Sequence, residues 1–221
     1  MKHPVLLYHH VTPHPGNKWS ISPAGFRRQI AWLLDTGFEI LTLRDFFGEG
    51  PAKKAFVTFD DGYDTVYEHA FPVLRELGVA ASVFLITDYI GGTNVWDHST
   101  IPRSKHLTPW QILELRNNQW EMHSHTASHA NFCQLAAHEI AKDVRCATQT
   151  IRRWNDGLLF CAFPHGRSEP RLTSALIENG YAGAFVAEPF WSDSNRFRLP
   201  RIPIAGEACR AFKAWLVGSE T

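Results

Sequence analysis

The chain has 221 residues, 44% of them apolar, and its 22 basic side chains balance 22 acidic ones. That length and apolar content suit one sizeable core and exclude a disordered chain. Zero net charge, with no Lys/Arg run, gives no electrostatic footprint for a nucleic acid.

At the N-terminus the apolar run Val5–Tyr8 is too short for a leader core or a membrane span, and no later segment reaches spanning length. The expectation is a cytoplasmic protein without a membrane span. Residues 4–9 (PVLLYH) read as a buried strand. Ser22-Pro23 then opens a helix, with Ser as its cap and Pro in its first turn. Phe26, Ile30, Leu33 and Leu34 form its apolar stripe, and Gly37 ends it. Residues 38–41 and 55–59 (AFVTF) read as strands. A helix spans 64–77, with a bend or break expected at Pro72. Residues 81–86 form the next strand, followed by a connection over 87–107, long enough to expect a functional role. Thr108-Pro109 caps another helix. Residues 120–125 (WEMHSH) form a strand that ends in histidines. A helix over 138–154, a strand over 158–163, a helix over 170–179 and a strand over 183–187 follow. RLPRIPI, residues 198–204, reads as a last short strand, and residues 207–217 as a final helix.

Strands alternating with helices argue for a parallel sheet. With seven or eight such units and no linker, the expected fold is a single α/β domain over residues 1–221, a distorted (β/α) barrel of seven or eight parallel strands. An open doubly wound sheet is the alternative. The four cysteines form no C-x-x-C pair, which argues against a zinc knuckle or a thioredoxin-like motif.

Two strand ends carry the chemistry. Residues 57–63 (VTFDDGY) deliver two adjacent carboxylates, Asp60 and Asp61, into a glycine turn at the functional end of a parallel strand. Neighbouring carboxylates repel, and a cation relieves that cost. One can hold the ion while the other takes a proton from water. A helix cap or an acidic surface turn is the plainer reading of such a pair. Residues 121–129 (EMHSHTASH) end a second strand with His123, His125 and His129. Spacing of four lets His125 and His129 converge on one ion if the segment turns, and His123 shares a strand face with His125. A solvated His-rich loop is the alternative, but a histidine cluster at one strand end and an acidic pair at another together favour a site. One Asp and two His leave open positions, as in a catalytic metal site, and among divalent ions the donor set suits zinc best.

The segments TFDDGY and HTASH resemble the first two motifs of the polysaccharide deacetylase family, carbohydrate esterase family four. The similarity runs from about Val5 to Ile204. It implies a distorted (β/α) barrel, Asp60 as catalytic base, and Asp61, His125 and His129 as ligands of a divalent metal, with zinc expected. It implies hydrolysis of an N-acetyl group on a carbohydrate, giving acetate and a free amine, with the metal and a backbone N–H stabilising the oxyanion. Phe163-Pro164-His165-Gly166 resembles the third motif, in which the His165 N–H is the oxyanion donor and Pro164 shapes the substrate site. Where many members carry an arginine that orients the base, this chain has Ala162. That variant, with residues 7–11 (LYHHV), is similar to the exopolysaccharide or poly-N-acetylglucosamine deacetylase subgroup, which implies His9 as general acid. Trp96 is expected to stack on a sugar and Arg201 to contact one. The alternatives are a metal-dependent hydrolase of another carbon–nitrogen bond (amide, cyclic imide or formyl group) and a non-catalytic carbohydrate-binding relative. An intact ligand set argues against the second.

Overall fold

A computed structural model describes residues 3–95, 103–188 and 195–206. Among the described residues, ten strands and five α-helices follow in chain order: β1 (Val5–Tyr8), β2 (His10–Val11), β3 (Ser20–Ile21), α1 (Pro23–Asp35), β4 (Glu39–Leu41) and β5 (Lys54–Phe59). Next come α2 (Phe71–Glu76), β6 (Ser82–Leu85), α3 (Pro109–Asn117), β7 (Glu121–Ser124), α4 (Ala137–Ile151), β8 (Phe160–Ala162), α5 (Pro170–Glu178), β9 (Gly183–Phe185) and β10 (Ile202–Pro203). The order across the main sheet is β10-β1-β5-β6-β7-β8-β9, with β4 against the first half of β5, and every pairing is parallel. This is the distorted barrel expected from the sequence, not the open sheet. The segment before β10 nearly closes it. Leu199 exchanges backbone hydrogen bonds with Ala184 and Val186 on the β9 side, while the Ile204 N–H donates to the Leu7 carbonyl of β1.

Residues of alternate parity face opposite sides of the strands. On β5, Ala55, Val57 and Phe59 join the large cluster beneath the helices, while Phe56 packs with Val5, Phe84, Phe160 and Phe185 inside the curl. The inward file of β5 therefore runs Phe56, Thr58, Asp60, and that of β7 runs Glu121, His123, His125. Their early members fill the barrel and their last ones reach its C-terminal mouth.

Helix signals acted locally. The Ser22 side chain accepts the Gly25 N–H, and Thr108 forms a reciprocal capping box with Gln111. The expected break near Pro72 is a π-helical turn, Val66–Ala70, running into α2. Such a turn loosens the i→i−4 ladder just before a proline that cannot donate to it. β2 and β3 form a small ribbon, too short to show periodicity in the sequence. The expected helix over 207–217 lies outside the described residues. Among the described residues, no helix is long and apolar enough to cross a membrane.

Gly62 is the tightest backbone position in the turn after β5. Its φ is +68°, and a Cβ there would lie 2.6 Å from Leu85 Cδ2. Gly62→Ala adds a left-handed penalty to a clash on the neighbouring strand. It is expected to destabilise the fold by about 1–3 kcal/mol, read as a lower denaturant midpoint at unchanged slope.

Candidate active site

The two strand ends meet. His125 Nε2 lies 3.4 Å from Asp61 Oδ1, and His129 Nε2 lies 3.7 Å from the same oxygen. One ligand atom from each residue falls within 4.8 Å of the other two, and all three residues are buried. His125 Nδ1 is 2.9 Å from the Ala162 carbonyl. A carbonyl only accepts, so Nδ1 carries a proton and Nε2 is the atom turned to the cluster, holding a proton toward Asp61 or, in exchange for it, a lone pair for a cation. Burial, followed by the neighbouring His125, pushes His129 down to about 3, which keeps its ring in the neutral, metal-binding form. Burial alone would raise the Asp61 carboxyl. The hydrogen bond from His125 and the charges of His9, His129 and His125 outweigh it and hold Asp61 well below the usual carboxylate range. A carboxylate and two imidazoles converging in a buried site fit one divalent cation with open positions left over.

Asp60 faces a different partner. Arg201 is fully buried, and its fork donates to Asp60 Oδ1 at 2.6 Å and Oδ2 at 2.7 Å. The guanidinium also lies over the rings of Phe84 and Phe185. Burial would raise Asp60, but Arg201, then His125, keeps it below its ordinary value. The sequence reading put Arg201 against a sugar. The structure corrects this, because the whole side chain lies inside the barrel and its fork is taken up by Asp60.

The backbone at the site is tightly constrained. Asp61 (φ 66°), Thr126 (φ 68°), His129 (φ 55°) and His165 (φ 59°) all adopt left-handed conformations. Each costs about 1–3 kcal/mol where no glycine relieves it. Local bonds hold two of them. The Asp61 carbonyl accepts from His106 Nδ1 at 2.9 Å. The Asp143 carboxylate, on α4, accepts the N–H groups of Ala127 and Ser128 at 2.8 and 3.0 Å, fixing the turn between His125 and His129.

Residues 47–184 match the family model described as polysaccharide deacetylase. The chain belongs to the polysaccharide deacetylase family. It is an enzyme of that class, a hydrolase that removes N-acetyl groups from acetylated saccharide. A poly-beta-1,6-N-acetyl-D-glucosamine N-deacetylase of Staphylococcus epidermidis is 26% identical over 217 residues, covering 89% of this chain and 72% of that protein. Among solved structures, a polysaccharide deacetylase from Bacillus cereus superposes with a TM-score of 0.81 at 22% identity, covering 98% of this chain and 69% of the other. IcaB from Ammonifex degensii gives 0.80 at 23% identity, covering 97% and 96%. Both structural likenesses are likenesses of fold.

For a deacetylase of this family, the remaining expected residues are distributed as follows. His9 is half-buried at the end of β1, close enough to Asp61 and Asp60 for both charges to act on it, and its ring meets Trp19 at 4.8 Å. His10 instead stacks on Tyr63 at 3.8 Å. The His165 ring meets His129 at 4.8 Å, and Pro164 is buried beside it. His123 is not among the metal-site donors. It is fully buried below them, 3.4 Å from Glu121 and 3.2 Å from Asn155. Trp96 lies outside the described residues. Trp19 was not singled out in the sequence, although an aromatic just before a short ribbon beside the YHH strand was its available signal. His106 and Asp143 carried no sequence signal, since each acts on backbone far away in the chain.

The Asp60–Arg201 fork has a measurable consequence. Arg201→Lys keeps a positive charge but loses the planar, two-pronged contact. The Asp60 carboxyl then rises toward its ordinary value, so the acidic limb of the kcat/KM pH profile moves to higher pH. Misplacing the base is expected to lower kcat on the order of 10- to 100-fold. An unmoved acidic limb would show that Arg201 is only a packing element.

Proposed function

We propose that the enzyme deacetylates a chain of β-1,6-linked N-acetylglucosamine, with Asp60 as base, His9 as general acid and a zinc ion held by Asp61, His125 and His129. The observation that carries the mechanism is the division of labour between the two adjacent carboxylates. Asp61 turns to the Nε2 atoms of two imidazoles, while Asp60 is clamped by an arginine and kept ionised. The substrate follows from the family and from the named activity of the Staphylococcus relative.

A bound divalent ion supplies Lewis-acid charge to the acetyl carbonyl and lowers the pKa of water. Asp60 takes a proton from the attacking water as its oxygen bonds to the carbonyl carbon. The backbone N–H of His165 donates to the oxyanion that develops. His9 gives a proton to the departing nitrogen as the carbon–nitrogen bond breaks, so acetate and a free amine leave. In the resting site burial lowers the His9 imidazole, and the charges of Asp61 and Asp60 partly restore it. Trp19, ring to ring with His9, offers an apolar face at the same mouth for a sugar ring.

Removal of metal with a chelator is expected to abolish acetate release from N-acetylglucosamine oligomers, and one equivalent of zinc to restore it. Asp60→Asn still binds metal but loses about 100-fold or more in kcat. Metal binding without acetate from any acetylated sugar would sink the substrate class and favour another carbon–nitrogen bond.

His9→Gln separates the acid from the base. The loss should fall on kcat, about 100-fold or more, with KM little changed, and the alkaline limb of the kcat profile should disappear. If both limbs survive, the proton comes from elsewhere.

A further inference from the structure

Beside the candidate metal site lies a groove of about 520 Å³, a size typical of ligand pockets. It adjoins the site: His165 forms part of its wall and also meets His129 ring to ring. Its floor is apolar, made by Phe132 and Leu172, both almost fully buried. The walls are braced. Arg171 donates to the carbonyls of Leu135, Phe132 and Cys133, at 2.8, 3.3 and 3.5 Å, and pairs with Glu169 at 2.9 Å. The other Glu169 oxygen accepts the Leu172 N–H at 2.6 Å. The groove is thus shaped before anything binds, and its one carboxylate is already neutralised.

Arg167 is different. It lines the same groove, is exposed, and makes no hydrogen bond or ion pair with any other described residue. A single uncompensated cation therefore faces a rigid, half-apolar groove one step from the reacting position. A polymer whose acetamide sits at the metal site must send a neighbouring sugar somewhere. Deacetylation changes that neighbour from a neutral acetamide to an amine that takes up a proton.

Building on the substrate reading above, we propose that this groove binds the sugar adjacent to the one being deacetylated, and that Arg167 makes it favour an N-acetylated neighbour over a deacetylated one. The acetamide methyl suits the apolar floor and its carbonyl can accept from the guanidinium. A glucosaminium there meets a like charge, and the groove's Glu169 carboxylate is already committed to Arg171 and the Leu172 N–H. The enzyme therefore leaves spaced amines along a chain instead of clearing consecutive units.

The test uses the metal-loaded enzyme and short β-1,6 oligomers of N-acetylglucosamine, either fully acetylated or carrying one glucosamine. Acetate release gives the rates, and mass spectrometric sequencing of products gives the positions. The parent is expected to prefer the fully acetylated oligomer in kcat/KM by roughly five-fold, the size of a solvent-screened like-charge contact, and less at high salt. Arg167→Gln should erase the preference and Arg167→Glu reverse it. Equal discrimination by all three proteins, or none by the parent, overturns the role of Arg167 and the groove. Absence of acetate from every oligomer overturns the substrate reading itself, and this inference with it.

Discussion

Two carboxylates in adjacent positions at the end of a buried strand cannot both stay ionised without compensation. The strand periodicity helps, because it turns Asp60 inward along the file of Phe56 and Thr58, while the left-handed backbone of Asp61 swings the next carboxylate to the mouth. Each then meets its own cations or dipoles. Asp60 takes both prongs of Arg201, and Asp61 takes the edges of His125 and His129. The proposed mechanism uses this separation, with one carboxylate free to accept a proton and the other facing a group that could hold an ion. A buried pair such as Asp60–Arg201 is weak evidence of net stability. Its value here is in fixing the orientation and ionisation of a base.

The counter-charges arrive from distant parts of the chain. Arg201 lies 141 residues from Asp60 and reaches it only because the last segment lies between β9 and β1. His9 is carried by β1, the strand next to both β5 and β10. Both residues fall outside the matched span 47–184, so the family match covers Asp60, Asp61, His125 and His129 but not Arg201 or His9. A chain whose segment around β10 failed to dock would keep Asp61, His125 and His129 together and lose the Arg201 partner of Asp60.

This explains what could be read from the sequence. Strands such as 55–59 and 81–86 announce themselves by dense β-branched and aromatic residues, and the caps at Ser22 and Thr108 are local. The convergence of Asp61, His125 and His129 was legible because they sit at strand ends in a recognisable spacing. Arg201 was misread because nothing near Leu199 or Ile202 encodes which strand they will join. Ala162 looked like a missing arginine. Here an arginine from elsewhere in the barrel, Arg201, contacts Asp60, while the Ala162 carbonyl accepts from His125 Nδ1. His106 and Asp143 were invisible for a related reason. They work on backbone groups of Asp61, Ala127 and Ser128, and backbone carries no side-chain signature.

The placement of strain follows the same logic. Among non-glycine residues of positive φ, Asp61, Thr126, His129 and His165 surround the reacting centre, whereas Gln119 lies in a turn before β7. Thr126, being β-branched, is the least suited to that conformation. Its cost persists because Asp143 anchors the next two N–H groups and the Thr126 hydroxyl accepts the His129 N–H at 3.2 Å. A relaxed turn would let the His125–His129 spacing breathe and would loosen the three donors. The fold therefore spends backbone strain where ligand geometry has to be set in advance. Below the mouth, Phe84, Phe160 and Phe185 fill the barrel and give the turns a rigid base.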